Sequence, residues 1–329
     1  MEIDKLNNLP LVEKYRPTKL DHIICQNHIV HTIKQLLLEN TLNHMIFYGP
    51  PGTGKTSTIL ACVNEIYDSN KFEVINLNAS DERGIDVVRQ RIYNFVESQT
   101  LFKKSSFKLV ILDEADSMTE DAQYSLRQII MNYTSNVRFC IICNYINRII
   151  PALQSRCCKF RYIPIPKEYI IRYLINICNI ENIKYDVPGI EAINNVSDGD
   201  LRKSLNILQT IYLVDSNITP ENVHRIANHP DKQCLNDIIK ILLTENLKNS
   251  YSKINDILYA NGFPLQTIIE LVTIYFTTIF SKNNIEFLKD MAQLERTVSL
   301  KYYNNNNLII SFVSIFHKLL VKLFRFKNK

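Results

Sequence analysis

Two features are missing from this sequence: a hydrophobic leader and a long apolar run. Met1-Glu2-Ile3-Asp4-Lys5 has neither the basic nor the apolar region of a secretory signal. The most apolar stretch, about Ile268 to Phe280, is interrupted by Glu270 and by threonines and is too short to span a bilayer. The expectation is a soluble intracellular protein with no membrane role. An excess of one charge sign is also lacking. Lys and Arg number 38 against 33 for Asp and Glu, and the net charge of +5 permits nucleic-acid contact without arguing for it. A charged fraction of 22% and an aromatic fraction of 10% are ordinary for a folded chain, and 329 residues at 46% hydrophobic suffice for two or three domains.

A second C-x-x-C pair is absent as well. Among eight cysteines, Cys140 and Cys143 have the spacing of half a zinc site. However, Arg138 to Cys143 reads as a buried strand, in which residues three apart point to opposite faces. Adjacent Cys157 and Cys158 also have poor geometry for chelation. The cysteines are therefore expected to be reduced core thiols in a reducing compartment. No repeat of fixed period is visible. The Asn304 to Asn307 run is too short for a prion-like segment and is expected to be an inserted loop. Lys103-Lys104 is too short to be a nuclear signal.

What is present has a clear order. The first half alternates short β-branched runs with amphipathic helices, the pattern of a parallel α/β sheet with helices on both faces. Strands are expected over Met45–Tyr48, Val74–Asn78, Lys108–Leu112, Val137–Cys143 and Lys159–Ile163, with helices over Ser57–Tyr67, Ile85–Glu97 and Glu120–Asn132 between them. Near Pro164 and Pro166 the pattern changes, and the remainder reads as helices with no further strand. The change near Pro164 and Pro166 and the break at His229-Pro230 divide the chain into an α/β domain over 1–165, a helical group over 166–228 and a second helical group over 229–329, with a turn at Asn261-Gly262 inside the last.

Gly49-Pro50-Pro51-Gly52-Thr53-Gly54-Lys55-Thr56 matches the phosphate-binding loop G-x-x-x-x-G-K-[ST], with a strand before it and a helix from Ser57 after it. Glycines let backbone N–H groups turn inward around phosphate oxygens, and the following helix presents its positive end to the same anion. Lys55 can reach the outer phosphates of ATP, and the Thr56 hydroxyl can ligate Mg²⁺. Some sixty residues later, Leu109-Val110-Ile111-Leu112-Asp113-Glu114 is an apolar strand ending in two carboxylates. Asp113 suits Mg²⁺ and Glu114 suits an attacking water. Asn144 ends the next strand on the same rim and could hold that water or sense the γ-phosphate; alone it would be an ordinary turn former.

With these parts in register, the chain resembles the AAA+ ATPases, and within them the small subunits of replication factor C. The resemblance covers nearly the whole sequence. It rests on Leu9-Pro10-Leu11-Val12-Glu13-Lys14-Tyr15-Arg16-Pro17, on Leu77 to Asp86 with its Asn78-Ala79-Ser80-Asp81 core, on Ser155-Arg156-Cys157, and on Gly199-Asp200-Leu201-Arg202. The run from Phe139 to Cys157 and Asn228-His229-Pro230 look most like the branch numbered five in animals and three in fungi. Two departures stand out. Leu11 replaces the usual Trp, and Lys203 stands where a second arginine is frequent, keeping charge without the bidentate fork.

The resemblance implies an α/β nucleotide-binding domain, a helical lid and a helical collar that closes a hetero-pentamer with other replication factor C subunits. It implies that Val12, Tyr15, Arg16, Ile23 and Ile24 line the adenine pocket, while Pro50, Gly52, Thr53, Gly54, Lys55, Thr56 and Ser57 hold the phosphates. Arg202 would act on the chain's own ATP from the lid, and Arg156 would be a finger for the neighbouring subunit's ATP. Arg83, Arg89 and Arg148 would face primer–template DNA without reading its sequence. Tyr93, Phe95, Val96, Leu101 and Phe102 around Gln99 are either core or the contact for the sliding clamp, proliferating cell nuclear antigen. A nuclear location is implied in the same way. Two alternatives stay open: another AAA+ DNA-remodelling ATPase, and a clamp-loader subunit that binds ATP without hydrolysing it.

Overall fold

The computed structural model describes residues 9–39, 41–67, 73–79, 85–97, 107–215, 217–279, 285–299 and 305–327. Five parallel strands, β1 (Met45–Tyr48), β2 (Val74–Asn78), β3 (Lys108–Asp113), β4 (Val137–Cys143) and β5 (Cys158–Arg161), form one sheet in the order β2-β3-β4-β1-β5. The central strands are apolar along their length because both faces are covered. Met45, Phe47, Leu109, Ile111, Cys140 and Ile142 enter one core, packed against the helices Asn27–Leu38 and Lys55–Tyr67. Ile46, Val110, Leu112, Phe139, Ile141 and Cys143 enter the other, with Leu126, Ile129 and Ile130 of the helix Glu120–Tyr133. Cys140 and Cys143 thus fall in different cores, as the two-residue period of a strand requires. All eight cysteines are free thiols.

Three expectations need correction. β5 runs over Cys158–Arg161 instead of Lys159–Ile163. The Tyr162 N–H still donates to Tyr48 O at 2.8 Å, but β1 ends there and Pro164 has no donor to extend the ladder. Two further strands of two residues each, Lys184–Tyr185 and Asn217–Ile218, lie in the part expected to be wholly helical. Finally, Asn305 to Asn307 are not a loop. They open the helix Asn305–Lys327, where short polar side chains that compete for backbone groups are tolerated in the first turn.

The chain divides into two compact units, one of residues 1–184 and 193–213, the other of residues 185–192 and 214–329. The second has its own core of Ile238, Leu242, Ile254, Ile268, Val272 and Met291, with Phe276, Phe287, Phe312 and Phe316 clustered at ring separations of 5.1–5.8 Å. Two of its helices, Lys232–Thr244 and Leu247–Asn261, start on capping side chains: Asp231 accepts from the Cys234 N–H at 2.7 Å and Asn246 from the Asn249 N–H at 2.9 Å. Among the described residues, no single helix is long and apolar enough to cross a membrane.

Candidate functional site

The carboxyl ends of β1, β3 and β4 meet at one rim, where open α/β sheets bind ligands. After Tyr48 the chain must clear Tyr162. A Cβ on Gly49 would sit 2.3 Å from Tyr162 O, and Gly49 has φ +146°. The loop then turns through Gly52 at φ +67° and enters the helix Lys55–Tyr67. Lys55 is only 7% exposed. Its ammonium donates to Gly49 O and Pro50 O, both at 2.7 Å, and to Asn144 Oδ1 at 2.9 Å. Burial pushes the Lys55 amine below its usual value, Asp113 and Asp116 oppose that push, and the Arg202 cation adds to it.

The Thr56 hydroxyl donates to Asp113 Oδ2 at 2.8 Å, and Asp113 Oδ1 accepts from the Glu114 N–H at 2.9 Å. Glu114 sits at φ +53°, a left-handed conformation that a non-glycine residue rarely adopts. Asp116, which was not predicted, ties the rim together: its Oδ2 accepts from the Asn144 and Tyr145 N–H groups at 3.3 Å each. The third carboxylate of Asp113-Glu114-Ala115-Asp116 was the available signal.

These groups border a cavity of about 350 Å³, within the usual range for small-ligand sites of roughly 300–1,000 Å³. Val12, Tyr15, Arg16, Ile23 and Ile24 line one part, and Gly52, Thr53, Gly54, Lys55, Thr56 and Ser57 another. Asp113, Glu114, Asn144 and Arg202 are also on the wall, and so are Asn78, Ile165 and Leu205, which were not predicted. Pro50 is not on the wall; its carbonyl accepts from Lys55 and from the Thr53 hydroxyl. The donor set fits a magnesium nucleotide. Thr56 and Asp113 bring two hard oxygens together, and a loop followed by a helix N-terminus opens beside them.

Both family departures keep a local role. Leu11 is buried, with its N–H donating to Gln209 Oε1 at 2.9 Å. The Lys203 ammonium donates to Val196 O at 2.7 Å in the last turn of the helix Val187–Ser197.

Gly52 has a further constraint. A Cβ there would lie 1.8 Å from Asp200 Oδ1, and Asp200 is already engaged by the Lys203 N–H at 3.0 Å. Gly52→Ala is therefore expected to cost stability, about 1–2 kcal/mol from the left-handed conformation alone, and to distort the phosphate loop. Thermal unfolding with and without ATP should show a lowered melting temperature and a reduced ATP-dependent rise.

The remaining candidates lie elsewhere. Arg156 is exposed and off the cavity wall, its Nη1 donating to Ala152 O at 3.0 Å. Arg148 is exposed, with its guanidinium 5.3 Å from the Tyr145 ring centre. Arg83 and the Arg89 side chain lie outside the described residues, as do Gln99, Leu101 and Phe102. Tyr93 and Phe95 pack against the second sheet core and Val96 belongs to it.

Known proteins resemble this chain over most of its length. Residues 45–165 match the ATPase family associated with various cellular activities. Human replication factor C subunit 5 is 42% identical over 300 residues, covering 90% of this chain and 88% of the human one. Replication factor C subunit 3 of Schizosaccharomyces pombe is 40% identical over 296 residues, covering 89% and 86%. Among solved structures, the Thermotoga maritima RuvB Holliday junction branch migration motor superimposes with a TM-score of 0.53 at 13% identity, covering 73% of this chain and 85% of that one, which is a likeness of fold.

Proposed function

The chain belongs to the replication factor C small subunits, within the AAA ATPases, and from that premise we propose that it loads a sliding clamp onto primer–template DNA as one member of a hetero-pentamer. It is an ATPase. In the proposed cycle, Lys55 and the loop Gly52 to Ser57 grip the phosphates of ATP, while Val12, Tyr15, Arg16, Ile23 and Ile24 receive the adenine. Thr56 and Asp113 would hold Mg²⁺, which would neutralise charge on the phosphates. Glu114 takes the proton of the attacking water, Asn144 orients that water, and Arg202 contacts the phosphates from the same chain. Arg156 reaches the ATP of the neighbouring subunit.

The parts beyond the nucleotide site follow the same reading. Residues 166–228 act as a lid and 229–329 as the collar; Arg83, Arg89 and Arg148 track the DNA backbone; the partner clamp is proliferating cell nuclear antigen; and the protein works in the nucleus. Contacts made to phosphates alone release counterions, so DNA binding should weaken steeply with salt.

One observation supports this reading above the others: the phosphate loop, Asp113, Glu114, Asn144 and Arg202 share one cavity wall, while Arg156 stands exposed outside it. The test is ATP hydrolysis by the reconstituted complex, with and without clamp and primed DNA, for wild type and Glu114→Gln. Clamp and DNA should together stimulate hydrolysis, and the substitution should remove this site's share, a drop of about 10²-fold or more at that site. Stimulation untouched by Glu114→Gln would make the chain a subunit that binds ATP without hydrolysing it. Absence of any clamp response in a properly assembled complex would point to a different DNA-remodelling ATPase.

A further inference from the structure

The cavity wall formed by the amino-terminal arm is held from behind by residues that no motif contains. Leu11–Lys14 is a single helical turn, too short to be stable by itself. Its position depends on side chains from elsewhere in the same compact unit. Tyr15, which lines the cavity, donates its hydroxyl to Glu181 Oε1. The Lys14 ammonium lies 2.6 Å from the same oxygen. The Tyr15 carbonyl accepts from the Tyr173 hydroxyl at 2.9 Å. The arm residue facing the ligand is therefore fixed at both its side chain and its backbone.

Glu181 is itself aimed by the way its helix ends. The helix Lys167–Ile180 stops with the Glu181 N–H donating to Ile177 O at 2.9 Å and the Ile183 N–H donating to Cys178 O at 2.8 Å. Asn182 between them takes φ +55°. This is the 6→1 closure of a helix C-terminus, with asparagine in the left-handed position where glycine is commonest. The closure leaves Glu181 half-buried. Burial opposes its ionisation, but the hydrogen bonds from Lys14 and Tyr15 hold its carboxyl below the ordinary glutamate range. An ionised acceptor with two donors on one oxygen makes stronger bonds than a neutral pair would.

We propose that Glu181 is a positioning residue for the base end of the nucleotide site: by holding Tyr15 it sets the wall against which the adenine packs, and it ties base binding to the end of the helix Lys167–Ile180. The proposal rests on the assignment of that wall to adenine. Tyr15 and Glu181 act as one unit, so removing either should remove the same increment of affinity. The phosphate end should be indifferent to both.

The experiment is equilibrium binding of ATP and of inorganic tripolyphosphate to the full-length chain, for wild type, Tyr15→Phe, Glu181→Ala, Glu181→Gln and the double variant. Tyr15→Phe and Glu181→Ala should each weaken ATP binding about tenfold, the size of one charge-assisted hydrogen bond. The double variant should be no weaker than either alone, Glu181→Gln should recover only part of the loss because its acceptor is neutral, and tripolyphosphate affinity should stay within about twofold throughout. A wild-type preference for ATP that survives Glu181→Ala overturns the proposal alone, as does a parallel loss of both ligands. Equal wild-type affinity for the two ligands would overturn the adenine assignment, and the proposal with it.

Discussion

Arg156→Ala is expected to leave ATP binding by its own chain at the wild-type level while slowing hydrolysis at the neighbouring subunit by about 10³-fold or more. The argument begins with where the side chain stands. Arg156 is exposed, follows the one-turn helix Pro151–Gln154, and donates from Nη1 to Ala152 O and from its backbone N–H to Leu153 O. It is absent from the wall that carries Lys55, Glu114 and Arg202, so its loss removes no contact from its own cavity. A guanidinium reaching a second subunit's phosphates would act on the charge that builds as the terminal phosphoryl group leaves. For that reason the effect belongs to turnover and not to binding. Two readouts on the reconstituted ring separate the cases: ATP occupancy of the substituted chain and hydrolysis by the adjacent one. Loss of the variant's own ATP binding, with its fold intact, would show that Arg156 acts within its own chain.

Most of the five-stranded sheet was legible in the sequence. Strands β1 and β4 were legible to the residue because each apolar run is flanked by glycine or asparagine, and β2 was legible from its β-branched Val74-Ile75 start. β5 was misplaced by one residue at its start and two at its end. It is a sheet edge whose Cys158, Lys159 and Arg161 are exposed, so no apolar run marks its limits. Strands of two residues, such as Lys184–Tyr185, have no period to detect. At the site, the phosphate loop and the Asp113-Glu114 pair were legible because their chemistry needs fixed residue types at fixed spacing. The bond from the Asn144 N–H to Asp116, the approach of Asp200 to Gly52, and the hold of Glu181 on Tyr15 were not. Each joins segments 28 to 166 residues apart, and only the folded register brings such segments together.

Lys55→Ala should lower ATP affinity about a hundredfold, equivalent to two charge-assisted hydrogen bonds at ~1.5 kcal/mol each. The Lys55 ammonium is buried and shared among Gly49 O, Pro50 O and Asn144 Oδ1. An ammonium buried in this way has already lost most of its hydration, and its attraction to a phosphate would be screened little by water. ATP at a concentration of 100 times Kd stabilises the wild type by about 2.7 kcal/mol, and a hundredfold weaker site at the same concentration gives about 0.4 kcal/mol. The ATP-dependent rise in melting temperature should accordingly almost vanish in the variant. The ligand-free melting temperature should move less, because removing a buried ammonium also removes the cost of burying it. The same geometry sets a pH dependence. Burial places the folded-state pKa of Lys55 below its unfolded value near 10.5. Between the two values the unfolded chain binds more protons, so Lys55 contributes to the ligand-free protein a stability that increases as pH rises through that window. ATP favours the protonated amine, so its affinity should fall across the same window. An undiminished ATP-dependent rise in Lys55→Ala would remove Lys55 from the phosphate site.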